Sequence, residues 1–341
     1  MDISVLGVDV AKRVFQLHGA DKNGKPVLRK KVSRLQLLDE IARLSPCVIG
    51  MEACGGANYW AREFAKFGHQ VRVVSARFVK PYVKSNKTDA ADAEAIAEAV
   101  SRPTMRFVSP KSIAQQDLQS LHRVRERLVR NRTALSNEIR GLLLEYGIVL
   151  PKGLEHLRKR MLLLLWEEQE KLSELGMEFF QELREDLRKV DERIGNLEKQ
   201  IARVSQENPA YERLRDIPGV GPLTASAVIG AVNNPTNFKS GREFSAWLGL
   251  VPKQYSTGGK VSLRGISKRG NCYIRKLLIH GARATMRHTA KKADIRSQWV
   301  EELRKRKGDN KTAVALANKN ARVMWALLAR GENYSPALMR A

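Results

Sequence analysis

The sequence predicts an α/β domain at the front of the chain, an α-helical middle built on a coiled-coil repeat, and a mainly α C-terminal region. Three observations carry this reading. Short apolar runs and amphipathic helices alternate over the first hundred residues. Leucines then recur every seven residues from Leu121 to Leu142. Beyond Asn271 the pattern is helical almost to the end. A shift of hydrophobic period from two to about 3.6 is the primary mark of a change from strand to helix.

Residues 3–10 read as a buried strand that holds one acid, Asp9. Residues 13–19 and 27–32 read as two more strands, with Asp21-Lys22-Asn23-Gly24-Lys25-Pro26 as the turn between them, giving an antiparallel meander. A helix starts at Ser33-Arg34, with Leu37, Leu38, Ile41 and Leu44 on one face. Cys47 to Glu52 is a short apolar strand ending in an acid. A helix from Tyr59 to Phe67, a strand from Gln70 to Ser75 and a helix from Asp89 to about Val100 follow. Three strands, helix, strand, helix, strand, helix is the order of an RNase H-like fold, an α/β layer structure. The expected boundaries are 1–110 for this domain, 111–207 for the helical middle and 208–341 for the C-terminal region.

The 341 residues carry 61 Lys and Arg against 36 Asp and Glu, a net charge of +25. With 43% hydrophobic and 28% charged residues the chain is globular rather than disordered. A balance that basic calls for a polyanionic partner, with nucleic acid as the default. A basic protein of the membrane surface needs an amphipathic helix with Trp or Phe on its apolar face, and none is evident. The longest apolar run, Met161 to Trp166, is too short to span a bilayer. Cys47, Cys54 and Cys272 show no CxxC spacing, so neither a zinc site nor a disulfide framework is expected, and a reducing cytoplasm fits. The start Met-Asp-Ile-Ser leads straight into a strand, with no signal peptide in the pattern.

Four acids draw attention together. In Lys87-Thr88-Asp89-Ala90-Ala91-Asp92-Ala93-Glu94, Asp89 and Asp92 stand three apart and so share a helix face. Acids in a first helical turn complement the helix dipole, which is the simpler reading of this run alone. Asp9 lies inside an apolar strand, where a charge is expensive unless paired or metal-bound. Glu52 ends the next buried strand, with Gly55-Gly56 leaving room behind it. First and fourth strands are neighbours in an RNase H-like sheet, so Asp9 and Glu52 are expected to approach each other at the edge where the Asp89 helix packs. Four converging carboxylates are hard oxygen ligands suited to a pair of Mg²⁺ or Mn²⁺ ions that clamp a phosphodiester. The plainer alternative for Asp9 is a strand-end acid that caps a neighbour.

In the middle region, Leu121, Leu128, Leu135 and Leu142 mark one core position of a heptad, and Val124 and Asn131 fall on the other. An asparagine there is expected to fix register. Arg123, Arg125, Arg127, Arg130, Arg132 and Arg140 cover the remaining faces, which suits a phosphate backbone better than a merely solvated surface. After the break at Gly147–Gly153, Leu183, Leu187, Val190, Ile194, Leu197, Ile201 and Val204 alternate by four and three. The two runs read as an antiparallel helical hairpin or a dimerisation arm, and internal helix packing is the alternative.

Pro218-Gly219-Val220-Gly221 then permits a tight turn into a helix N-terminus, with the backbone at Gly219 and Gly221 free to meet a phosphate. It looks like a helix-hairpin-helix element, although plain helix-to-helix turns use the same residues. Ser256 lies in a glycine-rich basic loop with Lys253, Lys260, Arg264, Lys268 and Arg269 around it. A serine hydroxyl is a weak nucleophile until activated, and the cations suit a phosphate and its developing charge. Read from the loop alone, Ser256 is a turn residue of a hairpin or phosphate-binding loop. His280 and His288 lack metal-ligand partners in the sequence and read as structural. Arg304-Lys305-Arg306-Lys307 is a basic run that tracks phosphates or ends a solvated helix.

Val8-Asp9-Val10-Ala11-Lys12, Met51-Glu52-Ala53, Lys87-Thr88-Asp89-Ala90-Ala91-Asp92-Ala93, Pro218-Gly219-Val220-Gly221 and Tyr255-Ser256-Thr257-Gly258-Gly259-Lys260 resemble, in order, the motifs of bacterial insertion-sequence transposases that join a RuvC-like DEDD domain to a serine-bearing C-terminal transposase domain. This is the bridge-RNA-guided recombinase family, with the Piv-type DNA invertases as relatives. The match covers nearly the whole chain. Thr257 stands where a second serine is often seen. The resemblance implies that Asp9, Glu52, Asp89 and Asp92 bind Mg²⁺ or Mn²⁺ and that Ser256 forms a covalent phosphoserine link to DNA. It also implies donor and target DNA and a structured noncoding guide RNA as partners. Homo-oligomers, dimers and tetramers, would form through the helical middle, in the bacterial cytoplasm at the nucleoid. If RNA pairing supplies specificity, the protein needs charge and shape more than base-reading side chains. Two other functions fit parts of the same pattern. One is a RuvC-like endonuclease that hydrolyses DNA junctions with a metal-activated water. The other is a non-enzymatic nucleic-acid-binding scaffold.

Overall fold

The computed structural model describes residues 2–84, 86 and 88–336. Lys87, which opens the acid-bearing motif, lies outside the described residues. The chain divides into two compact units, Met1–Ile113 and Ala114–Ala341. The second contains both the stretch expected as a helical middle and the region expected beyond it.

In the first unit the elements run β1 (Val5–Asp9), β2 (Val14–Ala20), β3 (Pro26–Ser33), α1 (Leu37–Ala42), β4 (Val48–Glu52), α2 (Ala57–Lys66), β5 (Gln70–Val74), α3 (Ala76–Val79), α4 (Asp89–Ser101) and β6 (Phe107–Val108). The six strands form one sheet in the order β3-β2-β1-β4-β5-β6. β2 runs antiparallel to β1 and β3, whereas β4 lies parallel to both β1 and β5. The mixed sheet with helices on its faces is consistent with the RuvC-like expectation. β6, two residues long, has no signature in the sequence.

Side chains alternate across a strand, and here the alternation divides the core. Leu6 and Val8 of β1 and Ile49 and Met51 of β4 pack with Leu37, Ile41, Trp60 and Phe64 of α1 and α2. The opposite face carries Gly7 and Gly50, and α4 covers it. A Cβ on Gly7 would come within 2.1 Å of the Ala93 carbonyl oxygen, and one on Gly50 within 2.6 Å of the Val100 side chain. Ala is the dominant residue of α4 for this reason: small side chains let helix and sheet backbones meet. The C-terminal half of α4, Ala95 to Val100, packs with Val5 and Val48 at the strand beginnings. The helix therefore runs antiparallel to β1, and its N-terminus lies at the end of the sheet where β1 and β4 finish.

In the second unit come α5 (Ile113–Glu145), α6 (Leu154–Glu167), α7 (Glu174–Gln206), α8 (Ala210–Arg215), α9 (Pro222–Ala231), α10 (Gly241–Trp247), β7 (Pro252–Gln254), β8 (Leu263–Ile266), α11 (Cys272–Met286), α12 (Ile295–Lys307) and α13 (Asp309–Arg330). α5 and α7 are antiparallel neighbours: Arg125 pairs with Glu198, and seven residues on, Arg132 pairs with Asp191. On α7 the buried residues Phe180, Leu187, Ile194 and Ile201 keep a strict seven-residue spacing. On α5 they do not, because that helix changes neighbours along its length. Leu118 belongs to the core of the C-terminal helices, and Ile139 and Leu143 to a core shared with α6 and α7. An ideal helix drifts against a seven-residue repeat, and nothing here enforces it. Asn131, expected at a core position, is exposed.

His122 of α5 is buried between helices. Ser226 Oγ donates to the Pro222 carbonyl at 2.6 Å, which uses its one proton. It therefore accepts from His122 Nε2–H at 3.1 Å, while His122 Nδ1 accepts from the Tyr273 hydroxyl at 3.0 Å. The chain of bonds ties α5 to α9 and α11 and needs a neutral imidazole. Burial, and then the charge of Arg125, pushes the pKa down to about 4.

The folded pKa lies below the ordinary 6.5, so the unfolded chain binds the extra proton first as pH falls. His122 should thus lower stability progressively from pH 6.5 down to about 4, by about 3 kcal/mol in all. Denaturant titrations across that window should show this loss, and a His122→Gln protein should show a flatter pH dependence.

Candidate active site

The parallel pairing of β1 with β4 aligns Gly7 with Gly50 and Val8 with Met51. Asp9 and Glu52 each follow the last paired residue, so two carboxylates end two adjacent strands. By strand alternation both belong to the face of Gly7 and Gly50, which is the α4 face. Each is half-buried. Cys54, two residues beyond Glu52, reports their proximity. Its sulfur lies 3.9 Å from the Val10 carbonyl, and its pKa is raised, first by burial and then by the charges of Glu52 and Asp9.

Thr88 starts α4 by accepting a hydrogen bond on its side-chain oxygen from the Ala91 N–H at 3.2 Å. This is an N-cap, and it places Asp89 in the first position of the helix. Asp92 is half-buried one turn on, while Asp89 is exposed. The acids thus stand as two pairs at one end of the sheet. Among the described residues, no three His, Cys, Asp or Glu side chains are grouped to hold a metal ion. The oxygen donors of the four acids still suit a hard divalent cation in kind.

In the second unit, β7 and β8 form a hairpin, one of the two readings that the loop allows. Thr257 and Lys260 bridge across its tip, and Gly258 and Gly259 between them have φ of 55° and 75°. Two positive φ values in a two-residue turn select glycine and match the twist of the strands. Ser256 stands one residue before this turn, exposed, and accepts a hydrogen bond from Gln254 Nε2 at 3.0 Å. The Arg264 guanidinium lies 4.6 Å from the centre of the Tyr255 ring. Lys253, Lys260, Arg264, Lys268 and Arg269 are all exposed. No Asp or Glu occurs between Glu243 and Asp294, so nothing in the local sequence offsets these cations.

The root of the hairpin is rigid. A Cβ on Gly270 would lie 1.8 Å from the Trp247 carbonyl oxygen, and one on Gly249 would lie 2.2 Å from that of Arg269. Arg275 donates to the Leu248 and Arg269 carbonyls and closes this crossing. Lys268 is held at φ 53°, a left-handed conformation unusual for a residue with a side chain.

The other predicted nucleic-acid residues divide by use. Arg125, Arg132 and Arg140 are committed inside the unit, to Glu198, to Asp191 and to backbone carbonyls. Arg123, Arg127 and Arg130 are exposed at a 4,3 spacing, one stripe on α5 that makes no ion pair among the described residues. Gly221 is exposed and caps α9. Gly219 (φ 89°) is instead packed on α11: a Cβ on Gly281 would sit 1.8 Å from its carbonyl oxygen. His280 and His288 are exposed, whereas His18, His69 and His122 are buried and no sequence motif marks them.

Residues 211–298, which include the Ser256 hairpin, match the model of the "Transposase IS116/IS110/IS902 family", and residues 6–148 match a transposase model named for the DEDD acids of IS110. A probable family 20 transposase of Pseudomonas aeruginosa is 49% identical over 98% of this chain and its own whole length. The chain belongs to the IS110/IS116 transposase family. The transposase for insertion sequence element IS1111A of Coxiella burnetii is 48% identical over 98% of this chain and 92% of its own. The transposase for IS1328 of Yersinia enterocolitica is 39% identical over 98% and 99%. Among the described residues of this transposase, no helix is long and apolar enough to cross a membrane.

The acid face depends on the close approach at Gly7. A Gly7→Ala protein must displace α4 from the sheet and should lose about 3 kcal/mol of stability, as overpacked cores do. Thermal unfolding of the purified variant against wild type measures it.

Proposed function

We propose that this transposase cuts and rejoins DNA at the ends of a mobile element through a covalent phosphoserine intermediate on Ser256. Asp9, Glu52, Asp89 and Asp92 are proposed to hold Mg²⁺ or Mn²⁺, which supplies Lewis-acid stabilisation of the phosphate. The observation that carries the reading is the division of labour between the units. One places two carboxylates at adjacent strand ends with two more on the covering helix. The other presents a serine on a rigidly rooted, acid-free basic hairpin.

The chemistry balances without an outside energy source. Ser256 Oγ forms a bond to phosphorus and gives up its proton, one ester P–O bond breaks, and the deoxyribose oxygen that leaves takes a proton. Attack by a deoxyribose hydroxyl on the phosphoserine reverses these steps and joins the strands. Lys253, Lys260, Arg264, Lys268 and Arg269 offset the negative charge that builds on the phosphate. Arg123, Arg127 and Arg130, with the backbone at Gly219 and Gly221, track the DNA or RNA backbone away from the reacting bond. Half-burial of Gly219 against α11 leaves Gly221 as the stronger contact of the two. We further propose a structured guide RNA as the source of specificity, for which the +25 charge supplies the affinity.

Homo-oligomer formation is supported by apolar side chains left exposed around α6 and the start of α7. Trp166 is 66% and Leu175 76% exposed, and Leu162, Leu163 and Phe179 are exposed too. Patches of this kind mark interaction sites.

A second reading is favoured by one observation. The hydrogen bond described at Ser256 Oγ comes from an amide N–H, which leaves the oxygen unactivated, and the acid face alone is equipped for hydrolysis. In that reading a water attacks, and the protein is a junction endonuclease.

A Ser256→Ala protein should give no covalent protein–DNA adduct on denaturing gels and no strand exchange, whereas cutting at the wild-type rate by this variant would establish hydrolysis. Replacing Asp89 and Asp92 together by alanine should abolish both adduct and exchange; an unchanged recombination reporter would leave only a binding scaffold. Trp166→Glu combined with Leu175→Glu should shift the purified protein to monomer in sedimentation velocity.

A further inference from the structure

A cavity of about 280 Å³ lies beyond the ends of β1 and β4, at the same end of the sheet as the acids but on the opposite face, that of Trp60. Gly55 and Gly56, which contribute no side chain, line it together with Lys12, Arg34, Tyr59 and Trp60. The Arg34 guanidinium lies 4.9 Å from the centre of the Trp60 ring and 5.9 Å from that of Tyr59. Arg34 also donates to the Lys12 carbonyl at 3.4 Å, which joins the two cationic residues on one side. Trp60 is 3% exposed and fixed in the core, edge-on to Phe15 and stacked with Phe64. Tyr59 stands edge-on against it at 4.9 Å and remains 40% exposed. The cavity thus offers an immobilised aromatic wall, a planar cation on the same wall, and a second cation at the rim.

We propose that this cavity binds a single nucleotide, extruded from the DNA strand on which the neighbouring acids act. A flat base stacks on Tyr59 and the Arg34 plane, and its phosphate meets the cations of Lys12 and Arg34. Base–aromatic stacking tolerates any base, which suits a protein that does not itself read sequence. The room is that of one nucleotide and not of a base pair, so the strand must be unstacked at this point. The inference rests on the reading of Asp9 and Glu52 as the metal-binding acids, because Val10 and Cys54 line the cavity and flank those residues in the chain. Holding one nucleotide there would bring the adjoining phosphodiester to the strand ends that carry the two carboxylates.

The experiment uses the full chain and the probe dAMP, titrated by calorimetry in EDTA with no DNA present. It reads the cavity whether or not the protein forms a Ser256 adduct, so failure here and failure of the proposed reaction are separate results. Wild type should bind dAMP more tightly, by about tenfold, than it binds deoxyribose 5-phosphate or deoxyadenosine. Tyr59→Ala should weaken dAMP binding by about tenfold, Tyr59→Phe should retain it, and Arg34→Gln should weaken it too. Circular dichroism should show all three variants folded, since both residues are at the surface. Equal binding of deoxyribose 5-phosphate and dAMP would reduce the cavity to an anion site and overturn the proposal. So would an affinity for dAMP that Tyr59→Ala leaves unchanged, or no binding by wild type.

Discussion

The first unit depends on one steric condition, that the backbone of a helix can rest on the middle of a sheet. Gly7 and Gly50 remove two side chains from adjacent strands, and the alanines of α4 remove them from the helix. The result is an approach close enough that a single methyl group at Gly7 meets a carbonyl oxygen at 2.1 Å. That approach fixes which end of α4 lies over which end of β1. The acids at the two strand ends and those at the helix start therefore share an end of the sheet without any loop to position them. Carrying several negative charges on rigid elements is costly in the absence of a cation, and functional sites are where such costs are tolerated.

Electrostatics in the second unit follows a different plan. A strongly basic chain must spend some cations on internal structure, and α5 shows how. Arginines facing α7 find carboxylates, and those on the opposite stripe are left with solvent. The fifty residues around the Ser256 hairpin go further and omit acids altogether. Exposed ion pairs contribute little to stability. The omission of partners at the hairpin consequently sacrifices little folding energy while it leaves a concentrated positive potential for a phosphate backbone.

Much of the first unit was legible in the sequence because its signals are local. Short apolar runs marked β1 to β5, Thr88 marked the start of α4, and the order of elements implied the β1–β4 neighbourhood that brings Asp9 to Glu52. The approach of Asp89 and Asp92 was legible only as a shared end of the sheet. Ligand distances depend on side-chain placement, which periodicity does not encode. The heptad on α5 misled about Asn131 because seven-residue spacing says nothing about a change of neighbour midway along a helix. Nor was the cavity visible: Lys12, Arg34 and Tyr59 come from three separate elements and share no spacing. His122 was equally silent, since its partners Ser226 and Tyr273 lie more than a hundred residues away. The turn at Gly258-Gly259 was open to a reader who asked why two glycines precede a lysine, but the strands beside it are too short and too exposed to announce themselves.

The contact between Gly219 and Gly281 has a mechanical consequence. Two main chains touch there with no side chain between them, so neither segment can slide or tilt without carrying the other. The turn after α8 and the long helix α11 therefore behave as one welded joint. Because α11 begins six residues after the end of the serine-bearing hairpin, a displacement at the turn is transmitted along a stiff rod toward that hairpin rather than absorbed by a pliant loop.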